Sequence, residues 1–256
     1  MSDEDEARRF AAEHAHYDDD IPFWRRHAAR LGGPVLDLGC ATGRVAIPLA
    51  RDGHEVWALD RSPAMLDELR RRLAGEDPAT AARVHPVEGD LARFDLGRRF
   101  ALVAVAMNTL QVLTDPGDRR AAFRSVRDHL APSGELIFDV ALPDVEEIAH
   151  SMGEERPGGR HRDPATGEVL THSAWYDSWD PDTHTLAFTL RIRTADGGGP
   201  DHEALRRHRV HLFTPDELAA LLDGAGLRHL EAAGGFDGLP LREGGERQVH
   251  RAGAAT

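Results

Sequence analysis

Lysine is absent from this chain, and all 31 of its basic residues are arginine. No side chain is therefore available to form a Schiff base with pyridoxal phosphate or a carbonyl substrate, and no phosphate-loop lysine exists. Cysteine is scarce as well. Cys40 stands alone, which rules out an internal disulfide and predicts a reducing, cytoplasmic setting. No apolar run reaches the ~18 residues that span a bilayer, and the charged opening M-S-D-E-D-E-A-R-R does not read as a signal peptide, so no membrane partner is expected. The histidines and carboxylates show no metal-ligand spacing, His14 and His16 included, and no metal is expected. Positive charge is also short. A net charge of −13 argues against nucleic acid, whose phosphates require a basic field.

What remains is a chain of 256 residues, enough for one substantial core and a small appended lobe, without repeats or low-complexity tracts. Its most informative segment is Val35 to Arg44, V-L-D-L-G-C-A-T-G-R, followed by the apolar run V-W-A-L-D that ends at Asp60. A short strand enters a glycine-containing turn, a helix follows, and a second strand ends in a carboxylate. Such a βαβ unit builds a nucleoside site: small residues let the backbone approach the ligand, and the acid accepts hydrogen bonds from ribose hydroxyls. The turn narrows the choice of nucleoside. A dinucleotide fingerprint starting at Gly39 needs glycine at 41 and 44, where Ala41 and Arg44 stand. Asp37 repels a phosphate but accepts from the ammonium of an amino acid. S-adenosylmethionine carries that ammonium, a ribose, an adenine and a sulfonium, and no phosphate.

Here the sequence resembles the class I S-adenosylmethionine-dependent methyltransferases, whose first motif is acid-x-G-x-G-x-G. Asp37, Gly39 and Gly43 match it, and Ala41 departs by one methyl. The resemblance runs in order through residues 34–141. After S-P-A-M-L-D-E-L-R-R-R-L comes R-V-H-P-V-E-G-D-L, a third strand. In the family the acid at its end, here Asp90, faces the adenine amino group, and the next N–H, here of Leu91, meets a ring nitrogen. R-R-F-A-L-V-A-V-A-M-N-T-L-Q-V-L is similar to the fourth strand, with Ala101 where the family has an acid. F-R-S-V-R-D-H-L-A-P-S-G-E-L-I-F-D-V then gives a helix, a Pro-Ser-Gly turn and a fifth strand. The resemblance implies an α/β fold: a Rossmann-like, seven-stranded, mostly parallel sheet with helices on both faces. It implies a donor site of Asp37, Gly39, Ala41, Gly43, Asp60, Arg61, Asp90, Leu91 and Met107, with Tyr17 as a lid over the methionine end. S-adenosyl-L-methionine is then the cofactor and S-adenosyl-L-homocysteine the product.

Chain punctuation sets the expected boundaries. Residues 1–33 read as two helices broken at D-D-D-I-P, forming an N-terminal helical lid. Residues 34–141 are the donor-binding core, with Thr42 capping the helix after Gly43. Residues 142–213 change character: a short helix in P-D-V-E-E-I-A-H, a turn-rich stretch E-E-R-P-G-G-R-H-R-D-P-A-T-G, then three extended runs joined at D-P-D-T and G-G-G-P. The middle run alternates, with Leu186, Phe188, Leu190 and Ile192 opposed to Thr185, Thr189, Arg191 and Arg193. These runs predict an antiparallel β insert capping the active site, with Trp175 and Trp179 on one face. Residues 214–256 open with a helix capped by Thr214 and boxed by Glu217, and supply strands six and seven, the seventh inserted antiparallel.

Methyl transfer from a sulfonium is an in-line displacement. A positioned neutral amine attacks unaided, whereas an alcohol or carbon acid needs a general base. Asn108 and Gln111 lie just beyond strand four, where the family's pocket floor meets the methyl group, and are expected to hold the acceptor. The base candidates are His211, His208, Tyr176 and Asp177. No histidine lies between Met107 and Val112, which favours an amine. Tyr176 and Arg209 are candidates to bind the acceptor, Arg209 through a carboxylate if its face of the last run, shared with Leu205, Arg207, His211 and Phe213, lines the pocket. The expected function is methylation of a small-molecule amine in bacterial or specialised metabolism, by a monomer or homodimer. Its rivals are an O- or C-methyltransferase with a His, Tyr or Asp base, a nicotinamide-dependent oxidoreductase, and a non-catalytic nucleoside-binding protein.

Overall fold

The computed structural model describes every residue except 1, 16, 143, 163–166, 195–202, 242–245 and 255–256, so His16 and the G-G-G-P turn lie outside the described residues. Two helices, α1 (Asp3–Glu13) and α2 (Ile21–Leu31), lead into β1 (Val35–Leu38), α3 (Ala46–Arg51), β2 (Val56–Asp60), α4 (Pro63–Leu73), α5 (Pro78–Ala82) and β3 (Val84–Glu88). The core continues as β4 (Phe100–Val105), a 3-10 turn at Thr109–Val112, α6 (Pro116–His129) and β5 (Leu130–Ala141). Next come α7 (Val145–His150), β6 (Arg156–Arg162), β7 (Val169–Asp180), β8 (Thr185–Thr194) and β9 (Glu203–His211). The last elements are α8 (Pro215–Gly224), β10 (Leu227–Ala233) and β11 (Arg247–Ala254).

Seven strands form one sheet in the order β10-β11-β5-β4-β1-β2-β3. Pairs from β3 through β5 are parallel, and β11 runs antiparallel to both β5 and β10. All four residues of β1 are buried, as a central parallel strand covered on both faces requires. Its side chains feed two cores in alternation. Leu36 and Leu38 pack with Phe123 and Phe138 on one side, and Val35 packs with Trp24, Ile47 and Leu69 on the other. The sheet grows from β1 to β2 in one direction and to β4 in the other. The crevice outside their carboxyl ends is therefore the switch point where open α/β sheets take ligands. This is the fold class read from the sequence.

The leader is tied into that core. Trp24 and Ala28 of α2 are fully buried, and Trp24 Nε1 donates to Asp20 at 2.9 Å. Asp20, only 1% exposed, also takes a two-pronged pair from Arg44 at 2.5 and 2.9 Å, which offsets the cost of burying its charge.

A second, antiparallel sheet, β6-β7-β8-β9, is the cap. Three local expectations change here and nearby. The turn-rich stretch holds β6, whose Pro157 is tolerated because β6 is an edge strand with a register shift beside it. Trp175 and Trp179 do not share a face. β7 is bulged at Asp177, so Trp175 pairs with Thr189 while Trp179 pairs with Leu186, and side-chain parity inverts between them. Trp175 lies under the Arg191 guanidinium at 4.7 Å, and Trp179 packs against the cluster of Ile148, Leu186 and Leu212. Thr42 caps nothing: α3 starts only at Ala46, and the Thr42 carbonyl accepts from Arg72 Nη1 at 2.7 Å.

Smaller departures follow the same logic. The Pro-Ser-Gly segment is a bulge inside β5, opposite the jump from Phe100 to Leu102 on β4. Thr214 Oγ1 accepts from Glu217 N at 3.2 Å as expected, but the Glu217 carboxylate turns to His211 and Arg119.

Candidate active site

Between the carboxyl ends of β1, β2 and β4 and the inner face of the cap lies a cavity of about 490 Å³. Its floor begins at Asp37. This side chain is 3% exposed, and its Oδ2 is buried without a hydrogen-bond partner among the described residues. Burial lifts its pKa to about 7, against the pull of the Arg44 charge and the Ala46 backbone N–H, with the Asp60 carboxylate adding to the rise. A buried carboxylate oxygen facing a cavity is a cation receptor.

The turn after β1 is held to β2 by the N–H groups of Gly39 and Cys40, which donate to the Leu59 carbonyl at 2.8 and 3.0 Å. Gly39 lines the cavity at φ +78°, and a Cβ there would stand 2.3 Å from Thr109 Cγ2. Ala41 also lines it, held in the left-handed region at φ 46°, and its N–H donates to Asp60 Oδ2 at 2.8 Å. Asp60 Oδ1 takes the Ser62 N–H at 2.9 Å, so this carboxylate orders both turns while facing the cavity. Gly43 serves a different need. It is outside the lining, and a Cβ would lie 2.4 Å from Leu69 Cδ1, so this glycine lets α4 pack on the turn. Arg61 and Leu91 line the cavity; Asp90 is exposed, outside the lining, with Oδ1 accepting the Ala92 N–H at 2.8 Å.

Beyond β4, Met107 and Asn108 both adopt left-handed backbone, φ 61° and 62°. The buried Asp139 carboxylate sustains that pair: it accepts the Met107 N–H at 2.7 Å and the Asn108 N–H, and it is paired with Arg247. Burial raises the Asp139 pKa, with Arg247 acting against it. Two consecutive non-glycine residues in this region store strain, a recurrent mark of functional sites. Asn108 lines the cavity, and its Oδ1 is buried without a hydrogen-bond partner among the described residues.

Several candidates from the sequence have other duties. Gln111 is 3% exposed; its Nε2 donates to the His211 carbonyl at 3.0 Å and its Oε1 accepts from Ala141 N at 3.1 Å. His211, 2% exposed, is bound by Glu217 at 2.7 Å and by the Thr183 carbonyl at 3.1 Å. Together they lock the cap to the core, outside the cavity lining. Tyr176 packs with the Ile148 cluster. Arg209 is exposed on the outer face of β9, because the register of β8 and β9 gives the cavity Arg206, His208 and Val210 instead. Tyr17 stands beside the cavity, its ring under Arg44 at 5.0 Å and its hydroxyl accepting from Arg247 at 3.4 Å.

The remaining wall was not singled out from the sequence except for His208. Phe10, Glu13 and His14 come from α1, and Phe188 and Leu190 from β8. Phe188 stacks on His208 at 4.9 Å. Burial lowers the His208 pKa, helped by Arg206, so its ring is neutral at neutral pH.

The methyltransferase-domain family matches residues 35–134. A cypemycin N-terminal methyltransferase from a Streptomyces species is 30% identical over 133 residues, 49% of this chain and 52% of that protein. The chain thus spans about half the length of the curated relatives it matches. Among solved structures, the CcbJ methyltransferase of Streptomyces caelestis has a TM-score of 0.78 at 28% identity, covering 92% of this chain and 95% of that one. The glycopeptide N-methyltransferase MtfA, solved with (S)-adenosyl-L-methionine, has a TM-score of 0.63 at 26% identity, covering 92% and 87%.

Proposed function

Because the chain belongs to the class I S-adenosylmethionine-dependent methyltransferases, we propose that it moves a methyl group from S-adenosylmethionine to the nitrogen of a small acceptor. The residues present fit that donor. Asp37 Oδ2, buried and without a partner among the described residues, suits the methionine ammonium, and Asp60 suits the ribose hydroxyls. Gly39 and Ala41 keep side-chain bulk out of the turn, and Leu91 offers an apolar face to the adenine. When bound, the donor supplies an electrophilic methyl on a sulfonium.

Asn108 carries the choice of nitrogen. An amide oxygen accepts an N–H and aims the nitrogen's lone pair, yet it cannot take a proton away. An amine needs only the first service. The cap and α1 flank the cavity above it, and orientation of the two reactants there supplies much of the rate. His208 gives one alternative a footing, since a neutral imidazole on the cavity wall is a competent base for an alcohol.

Locating the methyl in the product by tandem mass spectrometry tests the reading. Nitrogen is expected, with Asn108→Ala lowering kcat by about 10–100-fold, the worth of one or two hydrogen bonds in the transition state, while donor affinity holds. Methyl on oxygen, together with collapse of turnover in His208→Gln, would establish the alternative. On the donor side, Asp60→Ala is expected to weaken S-adenosylhomocysteine binding by about 1–3 kcal/mol in calorimetry. Unchanged affinity would remove Asp60 from the ribose.

A further inference from the structure

Asn108 is not the only cavity residue with unmet hydrogen-bonding capacity. Glu13 on α1 and Arg206 on β9 also line this space, and both side chains are at least nine-tenths buried, with exposures of 8% and 10%. Glu13 Oε2 faces Arg206 Nη1 at 3.4 Å, whereas Glu13 Oε1 has no hydrogen-bond partner among the described residues; His172 Nε2 stands 3.8 Å from it, beyond hydrogen-bond reach. On the arginine, Nε and Nη2 are likewise buried and without hydrogen-bond partners among the described residues, Nε lying 3.4 Å from Glu6 Oε1. The cavity wall thus offers one acceptor and a donor side by side. A buried polar atom left without a partner costs about 1–3 kcal/mol, so the pair is built for something that completes it.

Charge narrows what that is. Glu6 and Glu13 already stand against Arg206 and Arg9. An incoming carboxylate would meet two glutamates, and an incoming ammonium would meet the arginine. A neutral group with both an N–H and a C=O disturbs neither balance. Burial raises the Glu13 carboxyl above its ordinary range, against the pull of Arg206, so the site already resists additional negative charge. Phe10 and Phe188 on the same cavity supply apolar flanks for a hydrocarbon side chain.

We propose that Glu13 and Arg206 together read a carboxamide, so that the acceptor is an α-amino amide, the unit that also begins a peptide. The amide N–H donates to Glu13 Oε1 and the amide C=O accepts from Arg206, while the neighbouring amine meets Asn108. This deepens the reading above and rests on it for the amine.

Three acceptors that differ in one group test it: phenylalaninamide, phenylalanine and phenethylamine, with release of S-adenosylhomocysteine as readout. Wild-type kcat/KM is expected to favour the amide over each of the others by on the order of tenfold or more, the worth of one to two hydrogen bonds. Glu13→Leu and Arg206→Met are each expected to bring the amide down to the level of phenethylamine. Loss of fold would lower all three in parallel and leave the ratio intact. Equal use of amide and amine by the wild type, or a ratio that survives both substitutions, overturns the proposal. If none of the three turns over, calorimetric binding to the S-adenosylhomocysteine complex gives the same ranking, and a flat ranking overturns it equally. The amine reading fails separately. Methylation of 3-phenyllactamide on its hydroxyl, in preference to phenylalaninamide, would remove the amine while the carboxamide reader stands.

Discussion

Asp37→Asn is expected to make the ligand-free protein more stable and nearly unable to hold its donor. Burial raises this carboxyl to about 7 from an ordinary 3.8, a difference of roughly 3 pH units, or about 4 kcal/mol at most. The native state therefore holds a proton between about pH 4 and 7 that the unfolded chain has released. Stability falls as pH rises through that window, and the full penalty applies above it. Asparagine fills the same space without the charge, so chemical denaturation near pH 8 should show a gain of about 2–4 kcal/mol that disappears near pH 4. Donor binding should move the opposite way. The loss of a charge-assisted hydrogen bond to the ammonium predicts affinity lower by on the order of 100-fold at pH 8. Wild-type affinity should itself decline as pH drops below about 7, where Asp37 takes up its proton, and the variant should lack that dependence. A variant no more stable than wild type at pH 8, or one that binds the donor normally, contradicts the assignment.

Gly39→Ala is the second large effect, and its cause is protein against protein. The added Cβ would stand 2.3 Å from Thr109 Cγ2, at a backbone φ of +78°. The left-handed backbone alone costs an alanine roughly 1–2 kcal/mol, and the overlap forces the turn or the segment after β4 to move. Because Thr109 follows Asn108 directly, that movement reaches the residue proposed to hold the acceptor. Stability should drop by more than about 3 kcal/mol and turnover to about 1% or less, since displacement of even ~1 Å costs rate steeply. Gly39→Ala with Thr109→Ser, which removes the offending methyl, should recover all but the backbone term of about 1–2 kcal/mol. No recovery in the double variant would show that Thr109 is not what makes glycine necessary.

The half of the cavity proposed for the donor is legible as geometry because its determinants are local. A four-residue apolar strand, a glycine turn and a carboxylate at the next strand end are contiguous in sequence, and Asp37, Gly39, Ala41 and Asp60 all reach the cavity. Gly43 followed the same motif for a different reason, its neighbour Leu69 lying on a helix 26 residues away. The cap half depends on parity and register, which no single strand reveals. The bulge at Asp177 swaps the faces of Trp175 and Trp179, and the β8–β9 register puts Arg206 and His208 beside Leu190 and Phe188. The apolar face of β8 was the available signal: its cross-strand partners on β9 are even-numbered, which turns Arg209 outward. His211 and Gln111 misled because a buried polar side chain at a cap–core joint has the same composition as a catalytic one. Only its partners, Glu217, the Thr183 and His211 carbonyls and Ala141 N, tell them apart. Glu13 lay in a charged leader helix, where nothing local separates a cavity carboxylate from a solvated one.

Donor binding in this cavity can be seen outright in a crystal structure of the chain grown with S-adenosylhomocysteine near pH 8. Density is expected in this cavity, with the amino-acid ammonium on Asp37 Oδ2 and the ribose hydroxyls on Asp60. A ligand bound elsewhere, or a cavity closed by side chains with Asp37 Oδ2 paired to a protein group, would contradict it.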